Sequence, residues 1–151
     1  MAAYEPTIIP VMRGDDTVLR DVMYKQFGEA AADGRLAYAA RAFHDFVCTD
    51  DESAVLNPDY FERCAAVVPA LLQDGQQGAA HEGPLSTDPQ VLAGVTAPVL
   101  LLRGQHTQLD SFYTDTERHV AEHVADPRVR PPLPGLGHLP RCSHPSPSPR
   151  N

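Results

Sequence analysis

The chain has few basic residues, few cysteines and no long apolar segment, and each shortage argues against a class of protein. Lys and Arg number 12 against 20 Asp and Glu, so the formal net charge is −8, and no basic cluster offsets it. A chain with this charge repels phosphate, so we expect neither a nucleic-acid partner nor binding to an anionic membrane. The longest nearly apolar runs, 65–72 and 97–102, are too short to span a bilayer, and the N-terminus lacks the basic flank of a secretion signal.

The cysteines are odd in number and widely spaced. Cys48, Cys64 and Cys142 form no C-x-x-C pair. This usage is typical of reduced thiols in a cytoplasmic protein and argues against a disulfide framework or a structural zinc site. The sequence therefore predicts a cytoplasmic protein with no cofactor and no metal.

Residues 11–96 are predicted to be mostly helical. The length of 151 residues and the apolar share of 42% suit a single globular domain. Helical spacing of apolar residues recurs through this region, and Asn57 followed by Pro58 is a typical helix start, a cap and then a first-turn proline. The stretch TDDESAVL, residues 49–56, is interpreted as an acidic linker between two helices.

The pattern changes at residue 97. The run APVLLLRG predicts a short buried strand of a parallel sheet, because it is continuously apolar and ends at glycine. A helix is predicted over 112–124 and an extended segment over 126–135, which together with the strand make a βαβ unit. Residues 1–10 are interpreted as the end of another strand, and residues 141–151, rich in proline and serine, as a disordered tail.

This order of elements resembles the C-terminal half of an α/β-hydrolase. The glycine-histidine segment LPGLGHLP (133–140) looks like the element that follows the last strand of that family, and AAYEPTIIP (2–10) looks like the strand end that precedes its helical cap. The resemblance implies an α/β fold in which 1–10 ends a core strand, 11–96 forms the cap and 97–140 forms the C-terminal βαβ unit with the base histidine.

Two departures from the family pattern concern the catalytic residues. No G-x-S-x-G motif, which carries the family's serine nucleophile, occurs in the sequence. Since the nucleophile precedes the acid and the histidine in this family, it is expected upstream of Met1. Thr107 stands at the position where the family usually places its acid, Asp.

The resemblance makes His138 the candidate general base, because an imidazole titrates near neutral pH and accepts the proton of an attacking hydroxyl. The alternative is a loop histidine bonded to a nearby backbone carbonyl. Two carboxylates compete as the acid that orients it: Glu5, which ends the first predicted strand, and Asp110, just beyond Thr107. Each also has an ordinary explanation, Glu5 as a structural carboxylate and Asp110 as a helix cap.

A rival motif, HVAEH at 119–123, matches the H-x-x-E-H pattern of inverted zinc peptidases. That site needs a third, carboxylate ligand from further along the chain. No glutamate follows Glu122, and Asp126 is too close in sequence to complete the site. Two histidines four residues apart on an amphipathic helix are better explained as a solvated edge.

The sequence therefore predicts a truncated α/β-hydrolase that is inactive alone. The ancestral reaction is serine-type hydrolysis of a small, fairly apolar ester or amide bound under the cap, with no cofactor. The alternative is a non-catalytic helical binding module that pairs with another chain. Because a two-stranded sheet is marginally stable in water, the chain is expected either to pair with a partner chain that supplies the missing strands or to be poorly soluble.

Overall fold

A small parallel sheet organises the fold. The computed structural model describes residues 1–139 and contains, within them, three strands in the order β1 (Ala2–Tyr4), β2 (Val99–Leu102) and β3 (Pro127–Val129). Both pairings are parallel. The predicted strand at residue 97 is confirmed as β2, although only Val99 and Leu101 are fully buried. Residues 1–10 do contribute a strand, so the sheet has one strand more than the βαβ unit alone.

Helices make up most of the remaining described chain. Between β1 and β2 lie α1 to α6, and α7 connects β2 to β3. Their bounds are Gly14–Ala32 (α1), Leu36–Val47 (α2), Asp50–Ala54 (α3), Pro58–Cys64 (α4), Val68–Ala79 (α5), Pro89–Leu92 (α6) and Asp110–His123 (α7). The predictions of a mostly helical middle region and of a parallel βαβ unit are confirmed, and the fold is mixed α/β. None of the helices in residues 1–139 combines the length and apolar character needed to cross a bilayer.

The interpretation of residues 49–56 as a linker is wrong, because they contain α3. Thr49 caps this helix in a capping box: its hydroxyl accepts from the backbone N–H of Glu52, and the Glu52 carboxylate accepts from the backbone N–H of Thr49. Three acidic residues in the first turn also complement the helix dipole. The high charge of the segment therefore reflects helix initiation.

The buried apolar residues form two clusters. One joins α1, α2 and α5 to α7 through residues such as Phe27, Phe46 and Tyr113; the other packs Val99 and Leu101 against Val120 of α7. On α1, the apolar side chains of Val18, Leu19 and Val22 are exposed. The predicted disordered tail, 141–151, lies outside the described residues.

Candidate functional site

Glu5 and His138 meet at the carboxyl ends of the strands. Glu5 follows β1 directly and His138 lies in the loop after β3, yet Nδ1 of His138 is 2.7 Å from Oε2 of Glu5. The Glu5 side chain is 0% exposed and that of His138 is 26% exposed. In open parallel sheets this edge is where ligands bind. The chain thus places a buried carboxylate behind an imidazole that reaches solvent.

The backbone of β1 and β2 fixes the Glu5 carboxylate. The Glu5 N–H donates to the carbonyl of Leu102 (2.9 Å), and the N–H of Gly104 donates to Oε1 of Glu5 (3.1 Å). Glu5 has φ = 45°, in the left-handed region, which costs a residue with a Cβ about 1–2 kcal/mol. Strain of this kind persists only where the surroundings over-determine the conformation, and it concentrates at functional sites.

Glycine permits the close approach of the loop that carries His138. Residues 103–106 pair with 133–136: Leu133 N–H donates to Arg103 (2.8 Å), and His106 N–H donates to Leu136 (2.9 Å). A Cβ on Gly104 would lie 2.6 Å from the Leu136 carbonyl oxygen, so no larger residue fits here without displacing the backbone. The loop then turns at Gly135, whose φ of 71° glycine adopts without strain.

Tyr113 contacts the imidazole itself, and Tyr4 contacts the residue before it. The ring of Tyr113 stacks on that of His138 with centroids 6.0 Å apart, and its hydroxyl lies 3.3 Å from Nδ1. The Tyr4 hydroxyl donates to the carbonyl of Gly137. Because the Glu5 carboxylate accepts at the shorter distance, Nδ1 carries the hydrogen of the neutral imidazole. This leaves a lone pair on Nε2, which makes no hydrogen bond within residues 1–139.

Burial and negative charge hold both tyrosines in the protonated form. Burial, followed by the nearby carboxylates of Glu5 and Glu52, raises the pKa of Tyr4 to about 12. Burial likewise raises the pKa of Tyr113 well above its usual value, and the charges of Glu5 and Glu52 add to the effect. Both hydroxyls therefore stay protonated well beyond neutral pH, and that of Tyr4 continues to donate to the carbonyl of Gly137.

The other acid candidate, Asp110, contacts a different partner. It is the first residue of α7, its side chain is largely exposed, and it forms an ion pair with Arg103. Arg103 also pairs with the buried Glu117, with Nε 3.4 Å from Oε2. Thr107 is buried and its hydroxyl has no hydrogen-bond partner among the described residues. Of the two carboxylates, the structure therefore brings Glu5 and not Asp110 into hydrogen-bond contact with His138.

Glu52 is a site residue that sequence reasoning missed. It is buried in α3, and Oε1 accepts the backbone N–H of Leu139, the residue after His138, at 2.7 Å. The missed signal is T-x-x-E at Thr49 to Glu52, which predicts a capping box and thus an ordered helix. No local pattern predicts the contact with Leu139, since 87 residues separate the two.

The HVAEH histidines use ring nitrogens in contacts with backbone carbonyls. Nε2 of His119 is 2.9 Å from the Thr87 oxygen, and Nδ1 of His123 is 2.7 Å from the His119 oxygen. Throughout the part of the chain that is described, no three or more His, Cys, Asp or Glu side chains group in a way that would hold a metal ion. Both histidines are thus accounted for by contacts within the α6–α7 surface.

Comparison of the chain with protein-family models, with curated protein sequences and with solved structures finds no match. A functional assignment therefore depends on the chemistry of the Glu5–His138 pair and of the residues that enclose it.

Proposed function

We propose that Glu5 and His138 are the acid and base of a serine-type hydrolase site of the α/β-hydrolase kind, and that a second polypeptide segment carries the serine. The observation behind this proposal is the hydrogen bond from Nδ1 of His138 to a fully buried carboxylate, with Nε2 directed away from it. A base for nucleophilic catalysis needs this arrangement, because the acid fixes the tautomer and stabilises the imidazolium that forms.

The reaction follows from these two groups. Nε2 of His138 removes the proton of the serine hydroxyl as its oxygen attacks the carbonyl carbon of a small ester or amide. The resulting imidazolium returns that proton to the leaving alcohol or amine as the acyl bond breaks. Nε2 then deprotonates a water molecule as it attacks the acyl-serine, and returns this proton to the serine oxygen as the acid product leaves. Glu5 accepts the Nδ1–H throughout, and residues 11–96 provide the apolar surface above the substrate.

The outer edge of β1 is the place for the strand that leads to the serine. Within residues 1–139, β2 is flanked on both sides, whereas β1 has no strand on its outer side. A parallel strand added there would lie about 4.8 Å from β1. Its carboxyl end would therefore lie beside Glu5, where a side chain can approach Nε2 to hydrogen-bonding distance.

Reconstitution tests the proposal. The chain is co-expressed with the polypeptide encoded immediately upstream of Met1, in whichever reading frame contains G-x-S-x-G, and hydrolysis of p-nitrophenyl esters is measured. We expect activity that His138→Ala abolishes and that Glu5→Gln lowers by about 10⁴-fold in kcat, the usual cost of losing the correct imidazole tautomer. Asp110→Asn is the matched control and is expected to leave kcat unchanged.

Two results would contradict the proposal. One is the absence of any upstream frame encoding the motif. The other is ester hydrolysis by the purified chain alone that is lost on His138→Ala, because the nucleophile would then lie within these 151 residues.

A second candidate function is a helical binding module that pairs with another chain without catalysis. It is favoured by the exposed apolar side chains of α1, since Val18 is 61% and Val22 is 49% exposed. A non-catalytic partner would bury this surface, so Val22→Asp should weaken the complex while His138→Ala leaves its affinity unchanged. Size-exclusion chromatography of the two variants with the co-expressed partner separates this function from the hydrolase.

A further inference from the structure

The loop that carries His138 is held from the helical region as well as from the sheet. Oε1 of Glu52 accepts the N–H of Leu139 at 2.7 Å, while the Tyr4 hydroxyl donates to the carbonyl of Gly137. Both residues adjacent to His138 in sequence are thus anchored by side chains from other segments. Together these contacts restrain the backbone from which the imidazole extends.

We propose that Glu52 is a positioning residue for His138, an inference that rests on the proposed role of His138 as the base. Glu52 acts through the backbone and does not contact the ring: it fixes the main chain at Leu139 so that Nδ1 points at Glu5. The two buried carboxylates have separate tasks, since Glu5 sets the tautomer and Glu52 sets the orientation of the loop.

The Glu52 carboxylate has both oxygens in use. Besides Leu139, it accepts from the Thr49 N–H (3.0 Å) and the Thr49 hydroxyl (3.2 Å) through Oε2, and it is 5% exposed. Capping of α3 uses only Oε2, so the contact of Oε1 with Leu139 is separate from the cap. The contact through Oε1 therefore links α3 to the loop that carries His138.

The second glycine of the GLGH segment supports the same assignment. A Cβ on Gly137 would collide with Oε1 of Glu52 and lie 2.7 Å from its Cδ and 2.8 Å from the His106 carbonyl oxygen. Gly137 therefore leaves the space that the Glu52 carboxylate occupies. Gly135, by contrast, serves the turn through its positive φ.

Histidine-detected NMR on the full chain tests the assignment through solvent exchange of the Nδ1–H of His138. Glu52→Ala removes the anchor, and we expect exchange to become at least about tenfold faster, which corresponds to about 1.4 kcal/mol and to the loss of one hydrogen bond to a charged acceptor. Thr49→Val is the matched control, since it removes the capping hydroxyl and keeps the contact with Leu139. It should leave exchange at the wild-type rate.

The conservative variant Glu52→Gln keeps an oxygen that can accept from Leu139, so its exchange is expected to be faster than in the wild type by less than about tenfold. This variant tests the role if Glu52→Ala fails to fold. Equal acceleration in Thr49→Val and Glu52→Ala, or wild-type exchange in both Glu52 variants, would overturn the positioning role. Glu5→Gln in the same spectra distinguishes the two proposals. If the His138 tautomer does not respond to it, the proposed function fails whatever the Glu52 variants show.

Discussion

Replacing Glu5 by glutamine is expected to reverse the tautomer of His138. In the wild type, the Glu5 carboxylate accepts from Nδ1 through Oε2 and from the Gly104 N–H through Oε1. In Glu5→Gln, the amide oxygen must still face Gly104, because that N–H is a buried donor. The amide NH₂ then faces Nδ1 and has to donate to it. Nδ1 becomes an acceptor, and the hydrogen of the neutral ring moves to Nε2.

The energetic cost follows from the same contacts. A hydrogen bond to a charged group contributes about 1.5–3 kcal/mol and one between neutral groups about 0.5–1.5 kcal/mol. Glu5→Gln keeps both contacts and exchanges charged bonds for neutral ones, so we expect the free energy of unfolding to fall by about 2 kcal/mol, roughly 1 kcal/mol for each contact. Glu5→Ala leaves the Gly104 N–H without its acceptor and should lose more, about 1–3 kcal/mol from that donor in addition to the lost bonds. Urea denaturation measures both values.

Long-range ¹H–¹⁵N correlation spectra at mildly alkaline pH report the tautomer directly, since the protonated and unprotonated ring nitrogens have distinct shifts. His138→Ala assigns the signals among the 7 histidines. Asp110→Asn, whose carboxylate pairs with Arg103, should leave them unchanged. The reasoning is refuted if the wild-type ring already carries its hydrogen on Nε2, or if Glu5→Gln leaves the hydrogen on Nδ1.

Four further predictions concern stability. Gly104→Ala forces a Cβ to 2.6 Å from the Leu136 oxygen and should cost about 1–3 kcal/mol in urea denaturation. Gly28→Ala, inside α1 with no atom within 4 Å of the new Cβ, should stabilise by roughly 0.5–1 kcal/mol. The pKa of Tyr4 is raised from 10.0 to about 12, so the native state keeps the Tyr4 proton at pH values where the unfolded state loses it. The free energy of unfolding therefore falls as pH rises from 10 to about 12, and Tyr4→Phe should make this fall shallower. Burial, partly offset by the charge of Arg103, raises the pKa of Glu117 above its usual 4.5. The contribution of Glu117 to the free energy of unfolding therefore declines as pH rises above 4.5, and Glu117→Gln should flatten the dependence of the melting temperature on pH in that range.

Local sequence patterns predicted the elements that depend only on residues close together in the chain. The continuous apolar run at 97–102 formed β2, and Asn57 with Pro58 started α4 as a cap and a first-turn proline do. The acidic residues after Thr49 indicated a linker, whereas the capping box formed by Thr49 and Glu52 starts a helix there. The exposure of Leu19 and Val22 was not predictable from α1 alone, since burial along a helix depends on what packs against it.

The choice between Glu5 and Asp110 shows where sequence reasoning reached its limit. Both are carboxylates near a predicted strand end. His138 is 133 residues from Glu5 and 28 from Asp110, and no local pattern indicates which of the two lies beside it. Strand pairing in the sheet determines which carboxylate contacts His138. Parallel pairing of Ala3 with Leu101 aligns the carboxyl ends of β1 and β2, so that Glu5 lies beside Gly104 and within hydrogen-bonding distance of His138. Arg103, immediately before that glycine, pairs with Asp110 instead.

The same contacts explain why a site assembled from distant segments can hold its geometry. Glu5 is held by backbone hydrogen bonds with Leu102 and Gly104, Glu52 contacts Leu139, and Gly135 sets the turn before His138. Because these contacts already restrain the carboxylate and the loop in the folded protein, little conformational entropy remains to be lost when the imidazole is oriented. A substitution that removes the contact of Glu5 or of Glu52 with the histidine loop should therefore disorder the imidazole well before it unfolds the sheet, and this difference is what the Nδ1–H exchange of His138 measures.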